Sequence, residues 1–115
     1  MSDVISIRRG DVILADLRDR VGSEQKGIRP CVVIQNNIGN ECGSTTIVAP
    51  LTTNTGKWYM PTHVEIELEE LSTVLAEQIV TIDKSRVLQT LSHIDSDDME
   101  KINKALMISI GVQYR

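Results

Sequence analysis

Hydrophobic residues in the first two thirds of the chain occur in short runs separated by polar, glycine-containing stretches, a pattern typical of β-strands joined by loops. Six strands are predicted, over residues 11–16, 30–35, 45–51, 63–68, 73–76 and 78–82. The fourth alternates between apolar and charged residues, which predicts one face on the core and one in water. Pro50 lacks an amide hydrogen, so we expect the third strand to lie at an edge of the sheet or to contain a bulge.

The last third of the chain has helical periodicity. Asp83 is predicted to cap a short helix that runs to about residue 91, and Asp95 or Ser96 to cap a longer one. The apolar face of the longer helix is predicted to comprise Met99, Ile102, Leu106 and Ile110. Several strands followed by a terminal helix predict an α+β domain, in which a small antiparallel β-barrel or curved sheet packs against the C-terminal helix.

Length and charge restrict the classes of protein to which the chain can belong. Its 115 residues, 41% of them hydrophobic, predict one domain with its own core, spanning residues 1–115. The net charge of −4 argues against a general nucleic-acid coat protein. Residues 1–57 nevertheless hold seven Lys or Arg against six Asp or Glu, whereas residues 58–115 hold five against ten. An anion-binding site is therefore expected in the first half.

The compartment and the metal content are predicted from what the sequence lacks. It contains neither a run of eighteen apolar residues nor a secretory signal, so we expect no membrane span and no export. Cys31 lies in an apolar run and Cys42 in a polar stretch, and neither has the spacing of a metal ligand. We expect a cytoplasmic protein without a metal site, in which Cys31 is a small buried hydrophobic residue.

The most unusual segment lies between the first two predicted strands, where residues 17–29 are expected to form a surface loop. Gly22 and Gly27 allow the backbone to turn there. The hydrogen-bond donors of this segment, a set that suits a phosphate, are Ser23, Gln25, Lys26 and Arg29. The alternative is that Arg29 is only a solvated charge, or that it forms a surface ion pair with Glu24.

Six sequence blocks connect this loop with the rest of the chain. They are Arg9-Gly10-Asp11-Val12, Gly22-Ser23-Glu24-Gln25 with Arg29-Pro30, Val33-Ile34-Gln35-Asn36, Pro61-Thr62-His63-Val64-Glu65-Ile66, Glu77-Gln78-Ile79 and Thr81-Ile82-Asp83-Lys84. In this order they resemble the blocks of the MazF/PemK family, the toxins of bacterial toxin–antitoxin pairs, over about Arg8 to Gly111. The resemblance implies an SH3-like barrel of the MazF/CcdB type and a sequence-specific endoribonuclease that cuts single-stranded mRNA.

The resemblance also implies site residues. The family's key arginine corresponds to Arg29 and its key threonine to Thr52, which are therefore the predicted catalytic residues. The predicted RNA-binding residues are Ser23, Gln25, Lys26, Glu77 and Gln78, of which Lys26 is added from the donor-rich loop. Val80 occupies a position where some relatives have a basic residue, which bears on the preferred RNA sequence.

The expected chemistry needs no cofactor. In metal-free cleavage of RNA the 2'-hydroxyl attacks its own phosphate, and charge develops on the phosphoryl oxygens, where Arg29 supplies cationic donors. The resemblance further implies a homodimer with RNA along its interface and a cognate MazE-like antitoxin.

Three other residues are open to two interpretations. His63 and His93 are the only histidines, and both are more simply structural than catalytic, although His63 is also placed to line an RNA groove. Trp58 either stacks on a base or anchors the core or a subunit interface. Two alternative functions share the predicted fold: a CcdB-like toxin that binds a protein and cleaves no RNA, and a protein-interaction module.

Overall fold

The computed structural model describes residues 6–22, 24–54 and 60–112, which contain seven strands and two α-helices. The strands are β1 (Asp11–Leu17), β2 (Gly27–Val33), β3 (Thr45–Thr52), β4 (His63–Glu67), β5 (Leu71–Leu75), β6 (Val80–Asp83) and β7 (Val87–His93). The helices are α1 (Asn37–Cys42) and α2 (Ser96–Ser109), and two short 3₁₀ turns cover Ala76–Gln78 and Lys84–Arg86. None of the helices in these ranges is long and apolar enough to cross a membrane.

All strand pairs are antiparallel, and the strands form one curved sheet in the order β4-β5-β3-β2-β1-β7, with β6 paired to β3. β3 is therefore an interior strand, and the expectation that Pro50 marks an edge is wrong. On one side of β3, pairing with β6 ends at Val48 and pairing with β5 begins at Leu51. Pro50 lies between these two ladders, where the partner strand changes and a residue without an amide hydrogen is tolerated.

The sheet has a hydrophobic cluster on each face. Val12 and Ile13 are neighbours in β1, both are fully buried, and they belong to different clusters because side chains alternate across a strand. The first cluster lies between the sheet and α2 and includes Ile102 and Ala105 of the helix. The second lies on the other face and includes Cys31. Both faces are covered over Val12–Ala15 of β1 and Cys31–Val33 of β2, and the sequence is a continuous apolar run in each of these segments.

The C-terminal helix begins as predicted. The Asp95 side chain accepts a hydrogen bond from the Asp98 amide at 2.8 Å and caps α2. Ile102 is fully buried, as expected for the apolar face. Ile110, which was expected on that face, is the residue that ends the helix and is exposed, because the contact with the sheet has already ended there.

The short helix predicted over residues 83–91 is wrong. Asp83 caps only the Lys84–Arg86 turn, by accepting a hydrogen bond from the Ser85 amide at 2.9 Å, and the chain then continues as β7. β7 pairs with β1, so the tertiary pairing along that strand outweighs a local helix signal. A second difference is the short helix α1, which is not among the predicted elements: the Asn36 side chain caps it by accepting a hydrogen bond from the Gly39 amide at 2.8 Å.

Candidate functional site

The predicted catalytic residues lie on neighbouring strands. β2 pairs with β3 through Cys31 and Pro50, which are opposite each other at the end of the ladder. The ladder ends at this pair. Arg29 lies two residues before Cys31 in β2, and Thr52, the last residue of β3, lies two residues after Pro50. Because side chains alternate along a strand, Arg29 shares a face with Cys31 and Thr52 shares a face with Pro50. The sheet therefore places two residues that are far apart in the sequence on one face, just beyond the end of the ladder.

A row of paired side chains crosses the sheet from Thr52. Thr73 of β5 is opposite Thr52, and Glu65 of β4 is opposite Thr73. Thr73 is almost fully buried, whereas Glu65 is exposed. The row thus runs from two threonines to an anion on β4.

Cys31 lies on the same face as Arg29, two residues further into the core. Burial raises the pKa of its thiol to about 12, and the nearby Arg29 opposes this rise only in part. Cys31 is fully buried, as the sequence predicted, and its thiol stays protonated at neutral pH. Arg29 is therefore located where the second hydrophobic cluster ends and solvent begins, and Cys31 is not available as a nucleophile.

The guanidinium of Arg29 is held by the backbone. Its Nε donates to the Lys26 carbonyl oxygen at 2.7 Å. Among the residues that the structure describes, no carboxylate pairs with Arg29 or with Lys26. The alternative pairing of Arg29 with Glu24 is wrong, because Glu24 binds Arg20 at 3.1 Å.

Neighbouring arginines are matched with acidic groups. The pairs are Arg18 with Asp16, Arg20 with Glu24 and Arg86 with Asp19. Hydrogen bonds from Arg18 hold the pKa of the Asp16 carboxyl at about 2. Since these pairs neutralise each other, Lys26 and Arg29 are the basic residues between Asp16 and Arg29 that have no acidic partner within the described ranges. The anion-binding site in the first half of the chain stays a prediction.

The loop between β1 and β2 is connected to the Ala76–Gln78 turn. The Gln25 backbone amide donates to Oε1 of Gln78 at 2.7 Å, across 53 positions of sequence. Gly22 and Gly27 bracket this part of the loop with φ values of 62° and 91°, as their predicted role in turning requires. Two groups of predicted RNA-binding residues are therefore brought together, and Ser23 lies outside the described residues.

Glu77, the middle residue of the turn, is hydrogen-bonded through both carboxylate oxygens. Thr62 Oγ1 donates to Oε1 at 2.9 Å, and Nε2 of His63 lies 3.0 Å from Oε2. The His63 side chain is only 12% exposed, so the histidine is held at the start of β4 rather than free in solvent. Nothing in the sequence pairs these residues, since they lie on different elements, and Thr62 had no predicted role beyond its place in a sequence block.

The remaining candidates lie away from this arrangement or outside the described part of the chain. Nδ1 of His93 is 2.8 Å from Oδ1 of Asp11, where β7 meets β1. Val80 is in β6 and packs against the second hydrophobic cluster. Trp58 falls outside the described residues. Within residues 6–22, 24–54 and 60–112, no three His, Cys, Asp or Glu side chains come together as metal ligands would.

Known proteins resemble this chain over almost its whole length. Residues 8–110 match the sequence profile of the PemK-like, MazF-like toxins of type II toxin–antitoxin systems. The chain is 48% identical over 111 residues to Endoribonuclease EndoA of Bacillus subtilis (strain 168), covering 92% of this chain and 96% of that protein.

Two solved structures share the fold. MazF (Form-I) from Deinococcus radiodurans has a TM-score of 0.83 at 22% identity, covering 94% of this chain and 99% of that one. An endoribonuclease in complex with its cognate antitoxin, from Mycobacterial species, has a TM-score of 0.75 at 26% identity, covering 96% and 98%. The predicted α+β fold, a curved antiparallel sheet with a C-terminal helix, is thereby confirmed.

Proposed function

The chain belongs to the PemK-like, MazF-like toxins of type II toxin–antitoxin systems and is an endoribonuclease toxin, and on that premise we propose that it cuts single-stranded mRNA at a site built on Arg29 and Thr52. The observation that supports the proposal is the β2–β3 register, since Arg29 and Thr52 each lie two residues beyond its last pair, Cys31 and Pro50, on the same face of the sheet. Lys26 lies beside them, and within the described ranges neither cation has an acidic partner.

In the proposed reaction the 2'-hydroxyl of one nucleotide loses its proton and attacks the adjacent phosphorus, and the bond from phosphorus to the 5'-oxygen breaks as that oxygen gains a proton. The products are a 2',3'-cyclic phosphate and a 5'-hydroxyl, and no metal ion takes part. Arg29 binds the phosphoryl oxygens as negative charge develops on them, because an arginine side chain stays protonated and offers a fork of donors. The bond from Nε to the Lys26 carbonyl orients that fork and leaves the terminal nitrogens for the phosphate.

Thr52 is suited to donate the second hydrogen bond. Its Oγ1 accepts a hydrogen bond from the Asn54 amide at 3.1 Å. A hydroxyl group that accepts in this way still has its own hydrogen to donate. We propose that this hydrogen is directed to a phosphoryl oxygen beside Arg29.

The nucleotides next to the cut bond are proposed to lie along the loop between β1 and β2 and the Ala76–Gln78 turn. Lys26 provides a charge for a neighbouring phosphate. The other proposed RNA-binding residues are Ser23, Gln25, Glu77 and Gln78.

The proposed assembly is a cytoplasmic homodimer with the RNA along its interface, inhibited by a MazE-like antitoxin. The endoribonuclease from Mycobacterial species with a related fold is in complex with its cognate antitoxin. A site whose unbalanced charge comes from Lys26 and Arg29 attracts carboxylates as well as phosphates. An acidic antitoxin segment would therefore compete with RNA, and its inhibition would weaken with salt.

The test is cleavage of a single-stranded RNA oligonucleotide in the presence of EDTA, with analysis of both ends. We expect full activity, cyclic phosphate and 5'-hydroxyl ends, and no cutting when the scissile nucleotide is 2'-deoxy. Arg29→Ala should lower kcat by on the order of 10²- to 10³-fold, the loss typical of removing an oxyanion donor. Arg18→Ala, which removes an arginine already paired with Asp16, is the matched control and should leave kcat nearly unchanged. A 5'-phosphate product, or an absolute need for Mg²⁺, would refute the mechanism.

A further inference from the structure

Each of the three residues of the Ala76–Gln78 turn is held by hydrogen bonds to other parts of the chain. The Ala76 amide donates to the Thr62 carbonyl oxygen at 3.0 Å, and the Ala76 carbonyl accepts from Ser109 Oγ of α2 at 2.8 Å. Thr62 and His63 hold Glu77 at its two carboxylate oxygens, and the Gln78 side chain accepts a hydrogen bond from the Gln25 amide of the loop. The turn therefore forms a physical connection between the start of β4 and the loop.

The contacts of Glu77 direct its carboxylate to β4. The Glu77 side chain is 31% exposed, and it forms one hydrogen bond with Thr62 through Oε1 and one with His63 through Oε2. Two hydrogen bonds to different oxygens fix the plane of a carboxylate as well as its position. Because Gln78 follows directly in a tight turn, fixing Glu77 also restricts where the Gln78 amide group can lie.

We propose that Thr62 and His63 are positioning residues for the RNA-binding loop. They hold Glu77, and Glu77 in turn keeps Gln78 in place to accept the Gln25 amide. This inference rests on the proposed function for its effect on RNA, but the mechanical connection is a property of the chain alone. It assigns Glu77 a role in shaping the site that does not depend on reading a base.

The connection reaches the loop but not the strands that carry Arg29 and Thr52. These residues are held by the pairing of β2 with β1 and of β3 with β5, and one contact, from Arg29 Nε to the Lys26 carbonyl, lies next to Gln25 in the loop. Loss of the Glu77 contacts should therefore loosen the loop around Gln25 while the strand positions of Arg29 and Thr52 persist. In kinetic terms KM for RNA should rise and kcat should change little.

The direct readout is hydrogen exchange of the Gln25 amide, followed by NMR in the full-length protein without RNA. In Thr62→Val and His63→Ala we expect this amide to exchange roughly fivefold faster, the factor that corresponds to the net contribution of one hydrogen bond. Thr62→Ser and His63→Gln keep a donor for Glu77 and should restore slow exchange. Glu77→Ala should match the first two variants, and because Glu77 is a surface residue its removal opens no core cavity.

His93→Ala is the matched control, since it removes the other described contact between a histidine and a carboxylate. It should leave Gln25 exchange and KM unchanged. The same variants are then assayed with the RNA oligonucleotide, where Thr62→Val and His63→Ala should raise KM about fivefold with kcat within about twofold, as for a lost uniform binding contact.

Three results would overturn the inference. The first is unchanged Gln25 exchange in Thr62→Val, His63→Ala and Glu77→Ala. The second is equal acceleration in His93→Ala, which would indicate general loosening. The third is a raised KM without faster exchange, which would mean that these side chains touch RNA directly. If the unaltered protein fails to cut RNA, the proposed function fails while the exchange measurement still decides the mechanical connection.

Discussion

If Arg29 and Thr52 bind the same phosphoryl group, their contributions to catalysis must be coupled. Thr52→Val removes one hydroxyl group and keeps the size of the side chain. The Asn54 amide that loses its acceptor is in an exposed segment, so water replaces the bond and the stability cost should stay below about 1 kcal/mol. A loss of activity in Thr52→Val that exceeds this stability cost must therefore come from the catalytic step.

The magnitudes follow from the types of hydrogen bond. A hydrogen bond to a charged oxygen contributes about 1.5–3 kcal/mol, so Thr52→Val should lower kcat/KM by roughly 10- to 100-fold. Arg29→Ala should cost about 10²- to 10³-fold. For independent residues the double variant would lose the product of these factors. For residues that act as a unit on one phosphate, it should lose little more than Arg29→Ala alone.

The assay is single-turnover cleavage of an end-labelled RNA, with the melting temperature of each variant as a check on folding. Thr52→Ser keeps the hydroxyl and should retain most of the activity. Thr73→Val removes the adjacent threonine hydroxyl of the same row and serves as the control. Multiplicative losses in the double variant, or equal losses in Thr52→Ser and Thr52→Val, would refute a shared phosphate between Arg29 and Thr52.

Two further predictions concern stability. Ile102→Ala should lower the free energy of unfolding by about 2–5 kcal/mol in chemical denaturation, because Ile102 is fully buried between α2 and the sheet, whereas Ile108→Ala, at a half-exposed position, should change it by less than about 0.5 kcal/mol. Arg18 lowers the pKa of Asp16 from 3.8 to about 2, so the stabilisation from this carboxylate is present above pH 3.8 and is lost as the pH falls towards 2. The difference in denaturation midpoint between the unaltered protein and Asp16→Asn should therefore shrink over that pH range, and a difference that stays constant would contradict the assignment.

The strands were largely predictable from sequence because their apolar runs are local signals. The helix predicted over residues 83–91 was wrong. Asp83 does cap a turn there, but the pairing of Val87–His93 with β1 determines that the chain continues as a strand. That pairing joins residues about 80 positions apart, such as Asp11 and His93, and no local pattern encodes it. The prediction that Pro50 marks an edge strand was wrong for a related reason, since the change of partner strand along β3 is visible only in the assembled sheet.

The site was predictable in its residue types and not in its connections. The donor-rich segment and the family resemblance both pointed to Arg29, but sequence spacing could not show that Arg29 and Thr52 lie on adjacent strands, on the same face of the sheet. The contact between His63 and Glu77 joins a strand start to a turn 14 residues later, and each residue alone has a simpler surface interpretation. Side-chain hydrogen bonds of this kind depend on rotamers and backbone placement, which hydropathy patterns do not specify.

The position of Arg29 and Thr52 just beyond the end of the β2–β3 ladder combines rigidity with access. The last pair of that ladder is Cys31 with Pro50, and both residues are fully buried. Two residues further along each strand, Arg29 and Thr52 still have the direction that the sheet imposes, but they have left the packed core. A donor there keeps the fixed geometry that electrostatic stabilisation requires and still reaches a solvated phosphate. The loop between β1 and β2 ends at Lys26, just before β2, so the residues proposed to hold the rest of the RNA can be substituted without moving the strands of the proposed catalytic pair.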